Sequence, residues 1–261
     1  MLPRLLVDAC QSNGREVFVL AFEGHTLLET TEGVEHAWVR LGAAGTAMKL
    51  LKDADVADIV LAGPVRRPSL AELRPDGWGL KLLAKAGARA LGDDGLLRAI
   101  IVELEQEGFR IIGIDDVLQG ITAAAGALGQ VEPDAGALAD IQRGVDVLQR
   151  LGAVDVGQAV IVQEGIVLGI EAAEGTDGLI ARCASLLREG PGGVLVKLRK
   201  PGQESRADLP TIGPDTVRGV RDAGLRGIAV EAGATLVLSV ESVIREADAA
   251  GLFITGISVP E

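Results

Sequence analysis

Two stretches of the sequence concentrate the groups that could do chemistry. In the first, Glu171-Ala172-Ala173-Glu174-Gly175-Thr176-Asp177, a β-type run ends in two carboxylates and enters a helix through Gly-Thr-Asp. Where the C-terminus of a strand meets the N-terminus of a helix, free N–H groups and the helix dipole attract anions. The Thr176 hydroxyl could meet a phosphate oxygen there, while Glu171, Glu174 and Asp177 could hold a divalent ion. Helix capping by Thr176, with Asp177 favoured by the dipole, accounts for the same residues without any ligand.

The second stretch runs from Lys197 to Gly213 and carries Lys197, Arg199, Lys200 and Arg206 in an otherwise acidic chain. These cations follow a β-type run on a segment that also contains Pro201, Gly202 and Gln203. One acid, Asp208, stands before Leu209-Pro210-Thr211-Ile212-Gly213, whose turn residues fix its direction. The cations could neutralise a diphosphate, with Gln203 and Thr211 as further contacts, and Asp208 could bind a metal ion or take a proton from water. A solvated basic loop is the plain alternative. It is weakened here because Pro, Gly and apolar residues are interleaved with the charges and specify a definite loop. Lesser candidates are Gln158, ahead of a hairpin, and Arg66 and Arg67 in Gly63-Pro64-Val65-Arg66-Arg67-Pro68.

The only histidines, His25 and His36, have no partners at ligand spacing and read as surface residues. Catalysis therefore falls to carboxylates, lysines, hydroxyls and backbone groups, and any metal would be a hard, oxygen-bound ion such as Mg²⁺ or Mn²⁺. A Walker loop, a GxSxG elbow and a complete GxGxxG are all absent, which disfavours ATP hydrolysis, esterase and dehydrogenase chemistry.

The elements that must position these groups alternate. β-type runs at Glu16–Phe22, Asp58–Ala62 and Arg110–Ile114 interleave with helical segments at Leu2–Cys10, Thr46–Lys52, Leu80–Ala90 and Leu96–Gln106, the pattern of a parallel sheet. Gly120–Pro133 is small and aperiodic and joins the two halves. The reading is an α/β protein of two domains: an N-terminal Rossmann-like parallel sheet over residues 1–128, a linker at 129–134 and a C-terminal mixed α/β domain over 135–261. In the second domain Asp134 caps a helix to about Leu151, and Ala159–Gln163 and Ile166–Ile170 flank Glu164-Gly165 as a hairpin. Helices follow from Thr176 or Asp177 to Leu187, at Asp215–Ala223 and at Glu241–Ala250. Strands follow at Val194–Leu198, Gly227–Val230, Leu236–Leu238 and Leu252–Ile257.

With 48 % hydrophobic residues, 2 % aromatics and no tyrosine, the composition suits buried strands covered by helices. It is a poor fit to a nucleic-acid platform, which stacks bases on rings. A net charge of −12 also repels polyanions at long range, while leaving a small phosphate ligand free to meet a local basic cluster. Cys10 and Cys183 read as reduced, apolar side chains. No signal-peptide h-region and no apolar run of ~18 residues is visible, so the expectation is a cytoplasmic protein.

The run from Glu171 to Asp177, with Gly193–Lys197, Lys200-Pro201-Gly202-Gln203, Arg206–Gly213 and Ala223–Gly233, resembles the UDP-2,3-diacylglucosamine pyrophosphatase family of lipid A biosynthesis. The likeness is to the branch found in bacteria that lack the metallophosphoesterase-type enzyme. In the first half Ala62-Gly63 to Arg67-Pro68, Gly92-Asp93-Asp94 with Leu96-Leu97, and Glu107-Gly108-Phe109 carry the same resemblance. It implies a two-domain enzyme that binds its substrate in the inter-domain cleft and hydrolyses UDP-2,3-diacylglucosamine to UMP and 2,3-diacylglucosamine 1-phosphate with Mg²⁺ or Mn²⁺. Water would be directed at the sugar-side phosphorus, and Asp208 matches the family's essential aspartate. The acyl chains imply transient contact with the inner-membrane face, and a homodimer is among the assemblies open to it. Residue types alone leave a nucleotide-sugar transferase and a non-catalytic nucleotide-sugar or lipid binder as alternatives. Two departures stand out: the strand and Gly-rich loop that the family has before its Leu-Pro are not in this sequence, which begins at Leu2-Pro3, and Ser239-Val240 replaces a common Asp-Arg pair.

Overall fold

The structure, a computed structural model, describes residues 2–63, 65, 70–87, 93–152 and 156–259. The chain divides into two units, residues 1–119 with 204–207, and residues 120–203 with 208–261.

The first unit contains α1 (Leu2–Ser12), β1 (Phe18–Phe22), β2 (Glu35–Val39), α2 (Ala44–Asp53), β3 (Asp58–Ile59), α3 (Leu70–Leu73), α4 (Gly77–Ala86), α5 (Asp93–Gln106), β4 (Arg110–Ile111) and α6 (Ile114–Val117). The strands form two parallel pairs, β1 with β2 and β3 with β4. Met48 and Leu51 of α2, Ile101 and Leu104 of α5, Phe109 and Ile111 share one core. Asp76 caps α4 by accepting from Gly79 N–H (2.8 Å), which is why that helix starts where it does.

The second unit contains β5 (Gly126–Ala127), α7 (Ala135–Gly152), β6 (Ala159–Gln163), β7 (Ile166–Ile170), α8 (Gly175–Cys183), β8 (Val194–Lys197), β9 (Thr211–Ile212), α9 (Pro214–Asp222), β10 (Gly227–Glu231), β11 (Leu236–Val237), α10 (Val240–Ala249) and β12 (Phe253–Ile257). Six strands form a mixed sheet in the order β5-β12-β10-β8-β6-β7, in which β12, β10, β8 and β7 run one way and β6 and β5 run the other. Strand residues alternate between two buried faces. Val160, Val162, Val194 and Val196 pack against Ala137, Ile141, Val145 and Leu148 of α7. Ala159, Ile161, Leu195 and Ile228 pack against Leu179 and Ile180 of α8, Val217 and Val220 of α9, and Val243 of α10. Burial on both faces explains why these strands read as continuous apolar runs. Close approach of α7 needs Gly144, where a Cβ would lie 2.6 Å from Val196.

The hairpin formed as expected: Glu164 (φ 50°) and Gly165 (φ 76°) make a two-residue turn with both residues left-handed, matching the strand twist. Buried Asp140 of α7 accepts from both turn N–H groups, at 3.0 and 2.7 Å. Asp134 caps α7, accepting from Ala137 N–H at 2.8 Å. Several elements differ from the sequence reading: α3, α6 and β9 were not expected, and the run read as a strand to Ile114 ends at Ile111. Strand β2 was not expected, because Glu35-His36-Ala37-Trp38-Val39 opens with two exposed polar residues and does not alternate. The small-residue segment after Gly120 is not a free tether. Gly126–Ala127 pairs antiparallel with β12, and Ala123 exchanges backbone hydrogen bonds with Thr235 and Gly233. That pairing runs through the backbone at such close range that a Cβ on Gly256 would meet the Ala124 oxygen at 1.9 Å, so apolar periodicity has nothing to report.

Candidate active site

The direction changes in the sheet gather the chemistry at one rim. Strand β8 exits at Lys197; antiparallel β6 begins opposite it, with Ala159 in register with Lys197, so Gln158 lies at the same rim. Strand β7 then returns, and Glu171 joins the rim by donating its N–H to Ala159 oxygen at 2.8 Å. Gly157 (φ 54°) is required beside it, since a Cβ there would sit 1.9 Å from the Glu171 oxygen. Helix α8 starts immediately after, carrying Thr176 in its first turn.

These residues form one hydrogen-bonded chain. The Thr176 hydroxyl donates to Glu171 Oε1 (2.7 Å) and accepts from Lys197 Nζ (2.8 Å). Gln158 N–H donates to Glu171 Oε2 (2.9 Å), and Lys197 Nζ donates a second time to the Thr211 carbonyl (3.0 Å). Lys197 and Glu171 are both 6 % exposed, whereas Thr176 is half-buried. Burial pushes the Lys197 ammonium below the ordinary lysine range, against the opposing pull of Glu171, Asp177 and Asp208. Three carboxylates thus act on one buried cation, which ties Asp208 electrostatically to the same rim.

The loop after β8 is a turn built by Pro201 and Gly202 (φ 73°), closed by Gln203 N–H to Lys200 oxygen at 3.0 Å. Buried Gln203 works at both ends of its amide: Oε1 accepts from Lys200 N–H (2.9 Å) and Nε2 donates to Asp208 Oδ2. Arg199 is held by Glu231 at the exit of β10, through its N–H (2.9 Å) and its guanidinium (3.5 Å).

Several expected site residues are engaged elsewhere. Arg206 belongs to the four residues grouped with the first unit, and there it donates to Glu204 (2.9 and 3.0 Å) and to Glu105 (2.6 Å). Glu174 pairs with Arg182 (2.7 Å), which holds its carboxyl below the usual range. The Thr211 hydroxyl donates to Leu209 oxygen (3.1 Å), leaving its carbonyl for Lys197. Thr176 does not cap α8: Glu174 is the N-cap residue and no side-chain cap is made. The Gln158 side-chain oxygen is buried and without a partner among the described residues. Arg66 and Arg67 lie outside the described residues. His25, read as a surface residue, lines a cavity of about 330 Å³ past the ends of β1 and β2, with Glu23, Arg40, Glu72 and Arg74. No sequence signal marked Arg40 or Arg74, which stand alone in loops.

The four acids expected as metal ligands do not converge, because Glu174 answers Arg182 and Glu171 answers Thr176 and Gln158. Among the described residues no three His, Cys, Asp or Glu side chains are placed to hold a metal ion. What remains suits a different kind of binding: Mg²⁺ keeps several waters and takes one or two carboxylates plus phosphate oxygens. Of the four acids, Asp177 is exposed and Asp208 half-buried, and both act electrostatically on Lys197.

The family model described as the LpxI N-terminal domain matches residues 1–121, and the one described as the LpxI C-terminal domain matches residues 124–255. A relative from Caulobacter vibrioides, UDP-2,3-diacylglucosamine pyrophosphatase LpxI, is 41 % identical over 270 residues, covering 100 % of this chain and 95 % of the relative. Matched in both halves by one family, and across its length by that relative, the chain belongs to the LpxI family.

Proposed function

We propose that this protein hydrolyses the diphosphate of UDP-2,3-diacylglucosamine, giving UMP and 2,3-diacylglucosamine 1-phosphate for lipid A biosynthesis, as a member of the branch that stands in for the metallophosphoesterase-type enzyme. The observation that carries this reading is the buried Lys197 ammonium at a sheet rim, aimed by Thr176 and Thr211 and faced by Asp208, in a chain 41 % identical to a pyrophosphatase of that name. A buried cation is a preorganised partner for charge that builds on phosphoryl oxygens.

In this reading Lys197 and Lys200 bind diphosphate oxygens, and Asp208, held by Gln203, orients the attacking water towards the sugar-side phosphorus. Asp208 and Asp177 would hold a Mg²⁺ or Mn²⁺ ion, whose chemistry is to neutralise the diphosphate and polarise its phosphoryl oxygens. No helix among the described residues is long and apolar enough to cross a membrane, so acylated substrate is met through transient contact with the inner-membrane surface.

The test is UMP release by purified protein from UDP-2,3-diacylglucosamine, with water as the sole acceptor, across a Mg²⁺ and Mn²⁺ titration. Asp208→Ala should lower turnover by roughly 10³-fold while the protein still folds and unfolds cooperatively, with a modest loss of stability because the buried Gln203 amide loses its acceptor. Product formation that needs a second sugar would mean a transferase. Tight binding without turnover would mean a binder. Normal turnover by Asp208→Ala would remove Asp208 from the mechanism.

A further inference from the structure

We propose that Thr176 is a catalytic nucleophile, which takes the phosphoryl group from the diphosphate before water releases it. The inference deepens the hydrolase reading above and rests on it. Its basis is the chain Gln158–Glu171–Thr176–Lys197.

A threonine at the start of a helix is ordinarily a cap, and its oxygen then accepts from a backbone N–H. Thr176 lies past the cap position, which Glu174 occupies without making a side-chain cap. Its proton is instead committed to Glu171 Oε1 at 2.7 Å, and its oxygen receives the Lys197 ammonium at 2.8 Å. A hydroxyl so placed has a base to take its proton and a cation to hold the negative charge that develops, the arrangement required of an activated nucleophile. The base is itself oriented, because Gln158 N–H fixes the other oxygen of Glu171 at 2.9 Å. Glu171 and Lys197 are each 6 % exposed, and Thr176 is the half-buried residue of the set. A structural lock would need no such asymmetry. An ammonium has three protons. Thr176 and Thr211 take two of Lys197's, which among the described residues leaves the third for a phosphoryl oxygen.

The steps balance. A lone pair of Thr176 Oγ1 forms an O–P bond, the P–O anhydride bond breaks with its electron pair leaving on the departing phosphate, and the hydroxyl proton passes to Glu171. Water, oriented by Asp208, then attacks the same phosphorus. The Oγ1–P bond breaks, its electron pair returns to Oγ1, and Oγ1 recovers the proton from Glu171. The water proton passes through Asp208 to solvent. The sum is one diphosphate plus one water giving two monophosphates.

The decisive experiment uses the unmodified protein and a substrate made chiral at the attacked phosphorus with sulfur and oxygen isotopes. Two in-line displacements retain configuration, whereas direct attack by water inverts it. Retention is expected, and inversion overturns the proposal while leaving the hydrolase reading intact. Absence of any hydrolysis overturns both. A second arm quenches Asp208→Asn in acid within one turnover and maps the label by mass spectrometry. Thr176 esterified to the sugar-side phosphorus, with 2,3-diacylglucosamine still attached, is expected. Thr176→Ser should place the phosphoryl group on serine, and Thr176→Val should yield no adduct and lose at least about 10³-fold in turnover. Near-normal turnover by Thr176→Val sinks the proposal by itself.

Discussion

Lys197 is the side chain on which the rim depends, and its burial has a measurable consequence. Taking an ammonium out of water disfavours its charged form, and Glu171, Asp177 and Asp208 only partly offset this. Its value in the folded protein therefore lies below the ordinary 10.5. Between those two values the unfolded chain binds more protons than the folded one, so stability contributed by this residue rises with pH across that window. Lys197→Met has no such group to titrate. Urea denaturation of both proteins from about pH 7 to about pH 10 should show the wild type gaining relative to the variant as pH climbs. Parallel curves would mean that the ammonium is effectively solvated. None of this was legible in the sequence, where Lys197 is one cation of four and Thr176 lies twenty-one positions earlier. Residue types gave both as phosphate contacts; their hydrogen bond to one another required the sheet. Arg206 is the sharper lesson, since its partner Glu105 is 101 positions away and no spacing rule could have paired them.

At the scale of elements, the strongest local signals were read to the residue. Strands β6 and β7 were found with their bounds because β-branched runs flank an acidic-Gly turn, and α7 because Asp134 is a cap. The device that secures that hairpin was not readable: Asp140 sits mid-helix among apolar neighbours and looks like a surface acid. It is 3 % exposed and receives both turn N–H groups. Asp140→Ala should cost about 1.5–3 kcal/mol of stability, the worth of hydrogen bonds to a charged acceptor. Turnover of the folded fraction should be unaffected, because the turn lies at the far end of five-residue strands, roughly 17 Å from the rim. A fall in turnover at full folding would contradict that separation. The two-residue β11 was read from Leu236–Leu238, whereas its partner β9 (Thr211–Ile212) was not, being two residues in a Pro- and Gly-flanked turn segment.

Over the whole molecule, charge and site pull in opposite directions. A chain of net charge −12 repels an anionic substrate at a distance, while in the proposed site Lys197 and Lys200 would attract it at contact. Beyond the screening length the net charge dominates, so raising NaCl from about 10 mM to about 150 mM should increase kcat/KM up to a few-fold for a short-chain, water-soluble substrate. A steep decrease would mean that a wider basic surface guides binding. The alternating pattern gave the α/β class and the two-part organisation, and the family models likewise divide the chain into an N-terminal and a C-terminal match. The mixed sheet has a consequence of its own. In a purely parallel sheet, one rim collects only strand exits. Here the reversal at β6 and β7 adds an entrance bearing Gln158 and an exit bearing Glu171, while Asp140 clamps the opposite rim. If the proposed site stands, changes at the turn clamped by Asp140 should shift unfolding temperature, and changes at the opposite rim should shift turnover, each largely without the other.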